Sequence, residues 1–237
     1  MNPAPQLLLE RLTRAYGRQD WWPARTRFEV LVGAVLVQNT AWSNVERAIA
    51  VLRRRELLAP GPMDACPEAD LAEAIRSAGT FRVKARRLKA LSRWFLQQGG
   101  FAALEGMPPE ALRRSLLEVH GVGRETADAI LVYTLGQPRF VVDGYARRLF
   151  ARLGAISPDS DYEEIRQRVE ARRWRRPRHD LAELHALIVE HGKRACRPRP
   201  RCGECCLRDV CPRIGVGSGA ALSGSRDRRP GPKMPGQ

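Results

Sequence analysis

Five of the six cysteines crowd into one C-terminal segment, and four of them, Cys196, Cys202, Cys205 and Cys211, are spaced C-x5-C-x2-C-x5-C. Thiolates so arranged suit an iron–sulfur cluster or zinc. In a reducing compartment the segment reads as a metal site more than a disulfide framework. Cys206 is surplus and could replace Cys205 only with a changed spacing, while Cys66, beside Pro67, reads as a structural thiol. A second stretch able to do chemistry is the turn Gly121-Val122-Gly123, followed by Arg124. Two glycines allow positive φ and a close backbone approach, and the free amides opening the next helix can bind a phosphate, aided by the helix dipole. An ordinary C-cap between packed helices would look the same. Downstream, Val141-Val142-Asp143-Gly144 sets a carboxylate between an apolar run and the start of another helix, where it can serve as an N-cap.

Helices must position these groups. Phe28, Leu31, Val32, Val35 and Leu36 follow the helical i, i+3, i+4, i+7, i+8 rule, and Val45, Ala48, Ile49 and Leu52 repeat its first four steps. Leu71, Ile75 and Ala78, then Leu88, Leu91 and Phe95, mark two more stripes, separated by breakers at Pro60-Gly61-Pro62, Gly79, Gly99-Gly100 and Met107-Pro108-Pro109. Further helices are expected near 110–118, 124–135, 144–153, 162–173 and 180–191. The one strand-like stretch, Phe140 to Val142, is too short to build a sheet. The expected fold is therefore all-α.

Composition bounds the partner. The 237 residues carry 41 Lys plus Arg against 26 Asp plus Glu, a formal charge of +15, with hydrophobic content of 43% typical of a folded protein. DNA or a membrane surface would suit that field, and so would mere arginine-rich composition. Residues 213–237, rich in Gly and Pro, read as a disordered basic tail. The tail holds only five of the cations, so the folded part is basic in its own right. No apolar run approaches the ~20 residues of a membrane helix, and Met1 to Leu9 lacks the basic start of a leader. A cytoplasmic protein with no membrane partner is expected. All but four of the cations are arginine; Lys84, Lys89, Lys193 and Lys233 alone could act as amine nucleophiles.

The Gly-Val-Gly hairpin, the Val-Asp aspartate and the cysteine loop, in that order, resemble the helix-hairpin-helix DNA glycosylases of the endonuclease III superfamily, from about Trp21 to Pro212. The resemblance implies two helical lobes with a DNA-binding cleft between them. A six-helix barrel with the hairpin would span 27–137, and 1–26 plus 138–212 would form the cluster domain. It also implies that Asp143 is the catalytic carboxylate, which stabilises positive charge on the sugar and orients or deprotonates a water. In endonuclease III proper the residue two past the second hairpin glycine is a lysine that forms a Schiff base; here it is Glu125, and Arg124 beside it stays protonated. Base removal without efficient strand cleavage is expected, in a nucleoid-associated protein acting as a monomer on double-stranded DNA containing a damaged base.

The stretch Gly123 to Leu131 is similar to the 3-methyladenine branch of the family, which also carries the glutamate. Trp21-Trp22-Pro23 and Trp42 stand where that branch holds aromatic groups against an alkylated base, and Tyr145 could line the same cleft; core packing is the alternative for each. Gln38 matches the residue that enters the vacated stack, and Gly79-Thr80-Phe81 matches the wedge loop, with Phe81 as wedge or as a buried aromatic. Lys84, Arg86 and Arg87 read as phosphate contacts or as a solvated face. The run from Arg166 to Arg178 reads as a solvated face with a DNA-facing edge. The resemblance makes the four-cysteine loop a [4Fe-4S] site, zinc being the alternative; Arg197, Arg199 and Arg201, in a loop stiffened by Pro198 and Pro200, read as a phosphate clamp. Two other functions stay open: an oxidised-pyrimidine glycosylase with weak lyase activity, and a non-catalytic DNA-binding protein.

Overall fold

The computed structural model describes residues 3–19, 21–22, 24–157 and 159–216, so Pro23 of the expected pocket and most of the expected tail lie outside the described residues. Among those described there are twelve α-helices and no strand. They are α1 (Pro5–Tyr16), α2 (Arg27–Leu36), α3 (Trp42–Arg54), α4 (Pro60–Ala65), α5 (Glu68–Ala74), α6 (Phe81–Gln97), α7 (Gly100–Gly106), α8 (Pro109–Leu117), α9 (Arg124–Leu135), α10 (Gly144–Arg152), α11 (Tyr162–Glu170) and α12 (Pro177–Arg194). Their boundaries follow local chemistry. Thr26 and Asp161 cap α2 and α11 by accepting the amides of Glu29 and Glu164. Proline opens α1, α4, α8 and α12, where its missing N–H costs nothing. Gly136, in the left-handed region, stops α9.

The helices form two lobes, each around its own core. The first core runs from Phe28 to Leu135 and holds the expected apolar stripes of α2, α3, α5 and α6. The second gathers Leu8 and Leu12 of α1 with Phe140, Leu149, Phe150, Ile165, Leu184, Leu187 and Leu207, so the N-terminal helix packs on α12. An ion cluster joins the lobes: Arg113 of α8 donates to both oxygens of Asp128 on α9, at 2.7 and 3.0 Å, and to Glu163 of α11 at 2.7 Å. Asp128 is fully buried. Such a pair fixes geometry more than it stabilises, because both charges have left water.

Two expectations fail here. Arg166 is not on a solvated face; it is buried and pairs with Glu163 and Glu170, which saves it from an unpaired charge in the second core. Residues 213–216 do not belong to a disordered tail, since the Ile214 amide donates to the Arg152 carbonyl at 3.0 Å. No helix among the described residues is long and apolar enough to cross a membrane.

Candidate active site

Asp143 stands between the lobes as the N-cap of α10. Its Oδ1 accepts the Ala146 amide at 2.7 Å, and its Oδ2 lies 3.4 Å from Nε2 of His185 on α12. Capping and a chemical role are thus compatible, since the cap occupies only one carboxylate oxygen. Glu125 lies in the first turn of α9; the residue as a whole is exposed, but partial desolvation of its carboxyl, reinforced by the charge of Asp143, raises its pKa to about 7. A carboxyl that feels the charge of the aspartate thus stands where the resemblance sought a lysine.

An aromatic cluster adjoins this pair. Trp22 meets Trp42 edge to face at 5.2 Å and Tyr133 at 5.4 Å, while Trp21 meets Tyr133 at 6.2 Å and His185 at 6.0 Å. Gly33 of α2 makes room for Trp22, whose Nε1 would lie 3.1 Å from a Cβ there. Trp42 is tied by its Nε1 to Glu46 at 3.0 Å. The ammonium of Lys193 stands 5.6 Å from the centre of the Trp21 ring. Tyr145, expected in the pocket, packs elsewhere: a Cβ on Gly192 would meet its ring at 2.3 Å, and Arg148 covers it at 5.1 Å. The tyrosine that joins the indoles is Tyr133.

The hairpin departs from expectation in an instructive way. Only Gly121 has positive φ, at 83°, and a Cβ there would lie 2.2 Å from Cγ of Arg87. Gly123 is extended, and a Cβ on it would meet nothing within 4 Å. Gln38 is tied to this hairpin: its Nε2 donates to the Gly121 carbonyl at 3.1 Å and Thr126 Oγ1 at 2.9 Å, and its Oε1 accepts from Arg87. Arg124 is exposed, 3.7 Å from Glu163. Gly79 and Thr80 of the expected wedge loop are exposed, whereas Phe81 is half-buried against the first core with Arg76 at 5.1 Å from its ring. Lys84 is no phosphate contact. It is 1% exposed and donates to the carbonyls of Leu36 and Ala78 at 2.8 and 2.6 Å, and burial, with Arg87 nearby, lowers its pKa to about 8.

Cys196, Cys202, Cys205 and Cys211 line one cavity together with Leu149, Arg152, His191 and Leu207, and all are free thiols. Cys206 is absent from that lining and turns to the Tyr16 hydroxyl. The surroundings suit an anionic thiolate set. Buried Arg152 donates to Cys196 Sγ at 3.2 Å and to the carbonyls of Arg197 and Pro198, and His191 Nε2 is 3.7 Å from Cys205 Sγ. Among the described residues no three His, Cys, Asp or Glu side chains are gathered as for a metal ion. Arg199 is exposed on the loop between the first two cysteines.

Sequence reasoning did not find His185 or Tyr133, and it named Lys193 only among the lysines able to act as amine nucleophiles. The first two were concealed by helical periodicity. His185 lies within an apolar stretch of α12 and Tyr133 within one of α9, where each looks like packing until the lobes are brought together.

Two helical lobes, a helix-hairpin-helix and an aspartate beside indoles in the cleft define the class of helical DNA-repair enzymes with an interlobe site. Residues 32–174 match the model of the HhH-GPD superfamily of base excision DNA repair proteins, and the chain belongs to that family. It is 43% identical over 199 residues to a protein of Methanocaldococcus jannaschii named "Putative DNA repair glycosylase MJ1434", covering 83% of this chain and 90% of that one. It is 32% identical over 192 residues to the endonuclease III of Thermotoga maritima, with coverage of 78% and 82%. Among solved structures, the H. pylori 3-methyladenine DNA glycosylase (MagIII) bound to 1,N6-ethenoadenine superposes with a TM-score of 0.70 at 28% identity, over 81% of this chain and 98% of that one. The protein is a base excision repair DNA glycosylase of that superfamily.

Proposed function

We propose that the protein is a monofunctional glycosylase that hydrolyses the bond between deoxyribose and a flipped alkylated purine. The observation that carries this reading is the cleft itself: an ionisable carboxylate, Asp143, beside the indoles of Trp21, Trp22 and Trp42, with Glu125 in place of an amine nucleophile. Breaking the N-glycosidic bond builds positive charge on the sugar. Asp143 lowers the energy of that charge and takes a proton from the attacking water. Alkylation makes a purine cationic, so an indole face attracts it by ~0.5–2 kcal/mol per favourable pair, with few hydrogen bonds needed. The 3-methyladenine glycosylase with the ethenoadenine ligand supports this substrate class.

Gln38, released from the hairpin, and Thr80 fill the gap left by the flipped base, and the hairpin amides with Arg124 and Arg199 hold phosphates. Cys196, Cys202, Cys205 and Cys211 would hold a [4Fe-4S] cluster, a use their shared cavity and the donors from Arg152 support. The chemistry supplied there is structural, tying the arginine loop to α12. The protein acts as a monomer.

The test is base release from duplexes carrying 3-methyladenine analogues, 1,N6-ethenoadenine, thymine glycol or a G·T mismatch, with and without alkali. Alkali-dependent product from the alkylated duplexes, lost in Asp143→Asn with DNA binding kept, supports the reading. Preference for thymine glycol overturns the substrate class, and no release from any lesion overturns catalysis.

A further inference from the structure

We propose that His185, oriented by Tyr133, is a positioning residue that aims the Asp143 carboxylate. The inference rests on Asp143 being the catalytic carboxylate. His185 is 6% exposed, and its ring is enclosed by Trp21, Tyr133 and Phe140 with centroids at 6.0, 5.9 and 6.3 Å. Its two nitrogens have different neighbours. Nδ1 is 2.6 Å from the Tyr133 hydroxyl, whereas Nε2 is buried with no hydrogen-bond partner and faces Asp143 Oδ2 at 3.4 Å.

This arrangement decides the tautomer. A bare Nε2 lone pair facing a carboxylate would be repelled, so Nε2 carries the proton, and in the neutral ring Nδ1 at 2.6 Å accepts from the Tyr133 hydroxyl ahead of the more distant Ala182 carbonyl at 3.3 Å. The aspartate is then gripped from two sides. The Ala146 amide holds Oδ1 along the helix, and the Nε2–H, 3.4 Å from Oδ2, attracts it across the cleft without a full hydrogen bond. A carboxylate so confined keeps one face toward the sugar and loses little freedom on reaching the transition state.

The charged and titratable groups around His185 are Asp143 at the start of α10, Glu125 and Tyr133 on α9, and Glu183 and Lys193 on its own helix. Of these, Asp143 is the one the Nε2–H faces directly. Removing that donor leaves Oδ2 without its neighbour across the cleft and frees the carboxylate to turn away from the sugar.

The experiment measures single-turnover base release by the full chain, with DNA affinity measured separately. His185→Phe should slow release about 100-fold and leave DNA affinity unchanged. His185→Gln, whose amide N–H reaches a similar point, should restore part of the rate. Tyr133→Phe should slow release by less, again with affinity kept. Should His185→Phe fold poorly, the other two variants carry the test, with His185→Gln expected to be slowed less than His185→Ala. A His185→Gln no faster than the variants that lack the N–H donor, or a loss of DNA affinity in step with the rate, overturns the proposal. Release retained in Asp143→Asn would instead overturn the catalytic assignment of Asp143, and this argument with it; an inactive Asp143→Asn beside a native-like His185→Phe overturns the role of His185 alone.

Discussion

The two hairpin glycines should behave oppositely when each is replaced by alanine. At Gly121 the backbone is left-handed, and the new methyl would stand 2.2, 2.4 and 2.6 Å from Cγ, Cδ and Nε of Arg87. The left-handed conformation costs a non-glycine residue about 1–2 kcal/mol. Arg87 must also withdraw from Gln38, losing a hydrogen bond from a charged donor that contributes about 1.5–3 kcal/mol. Gly121→Ala should therefore destabilise the protein by about 3 kcal/mol, or roughly 6–12 °C in Tm for a chain of this size. At Gly123 the backbone is extended and the added Cβ meets nothing, so Gly123→Ala should leave Tm unchanged or slightly raised, because the unfolded chain loses freedom. Its methyl instead projects where α9 begins and a phosphate would approach, so duplex affinity should fall. Thermal melts and fluorescence anisotropy on a labelled duplex separate the two. A Gly123→Ala protein that melts early but binds normally, or a Gly121→Ala protein of native stability, would refute the reasoning.

Other perturbations follow from the same geometry. Lys84→Met should leave the salt dependence of DNA binding unchanged, whereas Arg124→Ala or Arg199→Ala should each reduce the slope of log K against log salt by about 0.9; a lower slope in Lys84→Met would contradict its burial. Asp128→Ala removes two of the hydrogen bonds of Arg113 and leaves it paired with Glu163 alone, which should cost about 1.5–3 kcal/mol in chemical denaturation, and a loss below about 0.5 kcal/mol on that scale would show the pair to be dispensable. Glu125 binds its proton more tightly folded than unfolded, so stability should fall as pH rises from its ordinary value near 4.5 through about 7. Glu125→Gln removes that loss, and its gain in Tm should be larger at pH 8 than at pH 5; equal gains at both would mean the carboxyl is ionised throughout.

The helices were legible because their stripes are local: the periodic residues of α2, α3 and α6 are the residues buried in the first core. Asp143 could be read as both cap and candidate catalyst because both roles depend on its place before α10. What escaped depends on contacts between distant segments. Lys84 looks like one cation in a basic helix, and only the carbonyls of Leu36 and Ala78 reveal that it points inward. In sequence Tyr145 drew the pocket reading and Tyr133 drew none; Gly192, far along the chain, takes the first into packing, and the second meets the indoles. Lys193 belongs by sequence to the approach to the cysteines, yet α12 passes the cleft before reaching them, so its ammonium lies over Trp21.

That lysine makes the most direct measurement a sharp one. A duplex bearing the preferred alkylated base is incubated with the protein in the presence of borohydride, and the products are separated with and without alkali. Hydrolysis directed by Asp143, with Glu125 where an amine nucleophile would stand, predicts base release, strand scission only after alkali, and no protein–DNA adduct. A borohydride-trapped adduct, mapped to Lys193 or any other amine, would contradict the account.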